Sequence, residues 1–125
     1  MPPPKPIKLP KKYGVGVLSA VNVEKRTITV TTHEKKVIIY YVPKKGEKFQ
    51  YINSPKGSKP VVWQGALFSV HDPSKHPVER DYHLHKLKDL KNGSRVLSVS
   101  TYKFAGDKVV LTKILIVPPD SPALK

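Results

Sequence analysis

KDLKNGSRVLSVSTYKFAGDKVVLTKILIV, residues 88 to 117, decides how this chain is read. It holds two apolar runs, Arg95–Tyr102 and Lys108–Val117, joined by Phe104-Ala-Gly-Asp107. Both runs are rich in Val, Ile, Leu, Thr and Tyr, residues that suit a pleated, half-buried surface. The Ala-Gly-Asp joint supplies the left-handed position that a tight hairpin needs. Just upstream, Leu87-Lys-Asp-Leu90 followed by Lys-Asn-Gly-Ser94 predicts a short helical turn closed by Asn92-Gly93. A helical turn, a strand, a tight turn and a last strand therefore end the ordered part of the chain.

Upstream, three more strands are legible. Tyr13–Val23 is the first, with Val15, Val17, Val21 and Val23 on one parity and Ser19 between them. Gly14 and Gly16 predict a bend or bulge there. Glu24-Lys25-Arg26 is a short hairpin loop. Thr27–Thr32 alternates, with Ile28 and Val30 inward and threonines outward. His33-Glu-Lys-Lys36 is the next turn. Lys36–Val42 is apolar on both faces, so its outer face is expected to be covered or used.

Residues 47 to 82 read less cleanly. Phe49–Ile52 suits a strand extension, and Asn53–Pro60 is a loop by every turn signal. Val61–Val70 favours strand by its β-branched start, with helix as the alternative. His71–Asp81 is a Pro-containing loop, and Tyr82–Leu90 reads as a short helix. Trp63 and Phe68 are expected in the core or at a subunit contact. His71, His76, His83 and His85 lie close in sequence, but their spacing matches no closed zinc site. They are read as polar loop residues.

Three meandering strands, a variable insert with a short helix and a closing hairpin resemble the OB-fold. The expected class is all-β with one short helix: a small antiparallel five-stranded OB-like barrel with a long insert between strands 3 and 4. Residues 1–12 form a Pro/Lys-rich arm, 13–117 the barrel domain and 118–125 a Pro-containing tail. One domain is what 125 residues predict.

Charge narrows the function. The 23 basic residues outnumber the nine acidic ones, for a formal net charge of +14. Such an excess repels itself until a polyanion neutralises it. Only three of the basic residues, Arg26, Arg80 and Arg95, are arginine. Lysine contacts phosphate as a point charge, whereas bidentate reading of guanine is the work of arginine. Recognition of backbone or shape, rather than of sequence, is therefore expected. The absence of cysteine excludes disulfides and Cys-ligated zinc. No apolar run is long enough for a transmembrane helix, and the N-terminus has no secretory h-region, so an intracellular protein with no membrane partner is expected. The scattered acids and the lack of a nucleophile elbow or phosphate-cradling Gly loop predict no enzyme and no cofactor.

The OB resemblance implies that strands 2 and 3 present the binding face, with the loops Glu24–Arg26 and Phe104–Lys108 closing over it. On that reading Lys25, Arg26, Lys35, Lys36, Lys44, Lys45, Lys103 and Lys108 track phosphates. Tyr102 and whichever of Tyr40 and Tyr41 faces outward stack bases. Lys5, Lys8, Lys11 and Lys12 ride on the stiff arm and add to the cationic surface. The expected partner is single-stranded DNA or RNA, bound largely without sequence preference. The alternative is a structural role in a ribonucleoprotein particle or virion, with both tails threaded into the assembly.

Overall fold

The computed structural model describes residues 8–73, 81–84, 86–106 and 109–124. Among the described residues nine strands form: β1 (Gly16–Asn22), β2 (Thr27–Thr32), β3 (Val37–Tyr41), β4 (Lys48–Phe49), β5 (Val61–Val62), β6 (Leu67–His71), β7 (Asp81–Leu84), β8 (Arg95–Lys103) and β9 (Val109–Val117). The main sheet has the order β3-β2-β1-β8-β9-β6-β7, and β3 also pairs with β9. That last pairing closes β1, β2, β3, β8 and β9 into a five-stranded barrel, consistent with an OB-like barrel.

The barrel is mixed rather than wholly antiparallel, and its topology requires this. β2 and β8 both run antiparallel to β1. β3 runs antiparallel to β2, and β9 to β8. β3 and β9 thus share a direction, so their seam pairs in parallel, at Tyr41 and Val110. The rest of that edge of β9 is taken by β6, parallel from Leu67–Lys113 to Val70–Ile116. The long insert therefore completes the seam that the barrel strands leave open.

The closing hairpin forms as expected, with Gly106 at φ 86° in its turn. β1 departs from its simple parity. The bulge falls at Ser19, because Leu18 opposes Val30 while Ala20 opposes Thr29. Leu18 turns fully inward and Val17 outward. The Ser19 hydroxyl donates to the Thr29 carbonyl at 3.1 Å and accepts from Thr31 Oγ1 at 3.0 Å, which ties the extra residue to β2.

The helix expected over 82–90 is absent. Residues 81–84 instead pair with β6 as β7. Only Leu87–Asp89 forms a turn, of 3-10 type. Three residues per turn set Leu87 and Leu90 on one side. Both are buried in the barrel core. The run at 61–70 splits into β5 and β6, because residues 61–62 pair with β4 instead of continuing along β9.

The core has two parts. Leu18, Ile28, Val30, Val96, Leu111 and Ile114 fill the barrel and are fully buried. Each contributes roughly 1.5–3 kcal/mol by leaving water. Phe49, Trp63, Phe104 and Val110 form a second cluster between the insert and the β8–β9 turn. Phe49 stacks on Phe104 with centroids 4.8 Å apart, and Trp63 meets both rings edge-on. Trp63 and Phe68 are thus core residues, as expected.

Both described ends fold back onto the barrel. The Leu9 amide donates to the Ala123 carbonyl at 2.8 Å, and the Arg95 guanidinium donates to the Pro10 carbonyl. Buried Ser121 donates to buried Asp72 at 2.6 Å. Ser121 and Ala123 of the Pro-containing tail are buried. Lys5 lies outside the described residues. Among the described residues, no helix is long and apolar enough to cross a membrane.

Candidate nucleic-acid interface

The two turns that flank β2 carry the predicted cations. In the β1–β2 turn, Asn22 Oδ1 accepts from the Lys25 amide at 2.9 Å, and the Lys25 side chain is exposed. Arg26 follows at φ 54°, an uncommon conformation for a residue with a Cβ. Its guanidinium is tied down: Nε donates to the Val42 carbonyl at 2.8 Å and Nη2 to the Pro43 carbonyl at 3.2 Å. The Val42 amide returns a bond to the Arg26 carbonyl at 2.8 Å. Arg26 is therefore a staple between the β1–β2 turn and the end of β3. Only part of its donor capacity is left to face a ligand.

At the other end of β2, Lys35 sits at φ 66° and the Lys36 amide donates to Thr32 Oγ1 at 3.1 Å. Both lysine side chains are exposed. Six residues of strand, about 20 Å, separate the two cationic turns. Between them the outward face carries Thr27, Thr29 and Thr31 with Val37 and Ile39, the last two 64% and 62% exposed. The face is hydroxyl and aliphatic apart from half-buried Tyr41, which opposes Thr27 at its end.

The expected tyrosines of β3 are not open platforms. Tyr40 is 8% exposed and packs in the barrel core. Burial raises its pKa above 10. Tyr41 is half-buried against the aromatic cluster, and its hydroxyl donates to Glu47, 2.9 Å from each carboxylate oxygen. Burial first, and the Glu47 carboxylate second, raise the Tyr41 pKa. Alternation explains the placement: Ile38 and Tyr40 point inward, leaving Val37 and Ile39 outside.

The exposed aromatic surface lies one step further round the barrel. Tyr41 opposes Val110, and Val110 opposes Tyr102 on β8. Tyr102 is 59% exposed, and its ring lies 6.2 Å from that of buried Phe104. On the insert, Tyr51 is 55% exposed, and its ring lies 5.7 Å from the same Phe104. An isolated bridge between Tyr51 and Phe104 fixes that approach. Two exposed tyrosines thus share one buried aromatic neighbour. A hollow of about 330 Å³ lies beside Tyr51, lined by residues 53–58, Gln50 and Ala105.

Of the remaining candidates, Lys44, Lys45 and Lys103 have exposed side chains, and Lys108 lies outside the described residues. The fold brings Lys45 to Arg26 around a common cavity but leaves Lys35 and Lys36 at the far end of β2. Tyr51, Lys86 and Lys88 were not singled out in the sequence. All three sit in the insert, whose course the strand pattern does not define. Tyr51 was signalled only by an aromatic between Lys48 and Lys56.

Comparison with family models, with curated proteins and with solved structures found no match for this chain. The functional reading therefore rests on the residues themselves.

Proposed function

We propose that this chain is a non-enzymatic protein that binds single-stranded nucleic acid largely without regard to sequence. The observation that carries the reading is the pair Tyr51 and Tyr102, both exposed, with rings 5.7 Å and 6.2 Å from that of Phe104, on a chain with a net charge of +14. Every base has a π-face, so stacking on tyrosine tolerates any sequence. Lysines at the turns flanking β2 supply phosphate contacts, and the outward hydroxyl and aliphatic face between them can lie against sugars and base edges. The aromatic platform of this reading is Tyr51 and Tyr102, and Tyr40 is excluded from it by burial.

The test is titration of labelled homopolymeric and mixed-sequence single strands, with a duplex for comparison, at several salt concentrations. The expected result is similar affinity across single-stranded sequences, falling linearly in log affinity against log salt. Strong preference for one short sequence, or affinity indifferent to salt, overturns the reading.

A further inference from the structure

A basic hollow also lies away from the β2–β3 face. A cavity of about 640 Å³ opens where the β1–β2 turn, the exit of β3 and the 3-10 turn meet. That volume falls within the roughly 300–1,000 Å³ of small-molecule sites. Its walls include Arg26, Lys45, Lys86 and Lys88, with Val42, Phe68 and Leu87 as an apolar floor. Among the described residues that line it there is no carboxylate.

Four cations around one hollow repel one another until an anion enters. The hollow is also organised in advance. Arg26 is oriented by its bonds to the Val42 and Pro43 carbonyls, which use two of the five N–H donors of a guanidinium. Lys86 and Lys88 flank Leu87, which is buried in the barrel core, so their backbone is anchored to the fold. Phe68 and Leu87 are both buried, so they hold the wall of the hollow in place rather than offering a face to a base.

We infer that this cavity binds the terminal phosphate of a nucleotide, with the phosphomonoester on Arg26, Lys45, Lys86 and Lys88. A terminal phosphate carries about −1.5 to −2 charges at neutral pH. An internal phosphodiester carries one. The surplus of cations fits the former better. The ligand is supplied either by the end of a strand or by a free mononucleotide. The inference rests on the proposed nucleic-acid binding only for the first source.

The experiment measures affinity of the full chain for one short thymidine oligonucleotide in three forms: phosphorylated at its 5′ end, phosphorylated at its 3′ end, or with hydroxyls at both ends. Thymidine monophosphate serves as a separate ligand. A terminal phosphate is expected to tighten binding about tenfold or more, the scale of charge-assisted hydrogen bonds. In the Lys86→Gln/Lys88→Gln variant that advantage disappears, while circular dichroism remains that of the parent. Amide shifts on adding thymidine monophosphate are expected at Arg26, Phe68 and Leu87. Equal affinity for all three oligonucleotides, with no shifts from the mononucleotide, overturns the cavity site and leaves the nucleic-acid reading standing. Binding of the mononucleotide with no binding of any oligonucleotide supports the cavity site and removes the broader reading.

Discussion

The Tyr41 hydroxyl donates to the Glu47 carboxylate, 2.9 Å from both oxygens, and so joins the end of β3 to the start of the insert. Glu47 also accepts from the Lys44 amide at 3.3 Å, which shapes the turn between them. Hydrogen bonds to charged groups contribute about 1.5–3 kcal/mol. Tyr41→Phe removes the donor and keeps the ring, so a loss of roughly that size is expected in urea denaturation at neutral pH.

The same contact sets a pH dependence. Burial, then the nearby carboxylate, raise the pKa of Tyr41 in the fold. Burial raises that of Tyr40 as well. A raised phenol contributes stability that is complete below its unfolded value of about 10 and is lost as pH rises through its folded value. Stability should therefore hold to about pH 10 and fall above it. The Tyr41→Phe variant should fall less steeply over that window. Identical alkaline limbs in the two proteins, measured by denaturant midpoint against pH, would show that Tyr41 does not carry the effect.

The two kinds of tyrosine should separate cleanly under mutation. Tyr51→Ala or Tyr102→Ala removes an exposed ring and should cost about 1–3 kcal/mol of single-strand affinity, with little change in salt slope. Folding should be nearly untouched. Tyr40→Ala empties a core site and should destabilise by about 3–5 kcal/mol, the range for large aromatics. Paired binding and unfolding measurements on the three variants decide this. Loss of affinity only from the Tyr40 variant would contradict the placement of the platform.

The barrel strands were legible from alternation and composition. Ile28 and Val30 in β2 announce an inward face with period two, and the β-branched apolar runs of β8 and β9 suit a pleated surface. What periodicity leaves out is register. The Ser19 bulge moved Leu18 rather than Val17 inward, and no alternation count predicts which residue is extra. The 82–90 region misled because Leu87 and Leu90 carry a helical spacing that a single 3-10 turn satisfies equally well. Tyr51 was missed for another reason: its neighbour Phe104 lies more than fifty positions away, and only the folded insert brings the two together. The cationic cavity drew Arg26 and Lys45 from readable turns, but Lys86 and Lys88 from the segment read as helix.

Salt dependence tests the cationic turns individually. For single strands, log affinity falls with log salt by roughly 0.7 per phosphate contacted. Lys36→Gln removes an exposed cation in a turn whose backbone is fixed by its amide bond to Thr32 Oγ1. That bond does not use the side chain, so folding should be unchanged. The slope should lessen by about 0.7, equally for every sequence. Arg26→Gln should behave differently. It deletes the bonds to the Val42 and Pro43 carbonyls, so it should lower stability as well as slope. An Arg26→Gln variant as stable as the parent would remove the staple from the account.

Gly16 and Gly106 should lose stability for different reasons on the same substitution. A Cβ at Gly16 would lie 2.2 Å from the Thr31 carbonyl oxygen and 2.7 Å from the Thr32 Cα, both backbone atoms of the paired strand. Neither can swing aside as a side chain does, so β1 and β2 must part where Gly16 opposes Thr32. Overpacking of this kind costs about 1–3 kcal/mol, occasionally more, and a backbone clash inside a ladder belongs at the upper end. Gly106 has nothing within 4 Å of its Cβ position, and there the difficulty is φ 86° alone. A left-handed alanine costs about 1–2 kcal/mol. Gly106→Ala should therefore unfold at slightly lower denaturant and bind as the parent does, because Tyr102 and Phe104 keep their places. Gly16→Ala should unfold markedly earlier and lose hydrogen-exchange protection along β1 and β2. A Gly16→Ala protein with the parent's midpoint and protection would mean that the two strands do not approach as closely as the bulged β1 requires.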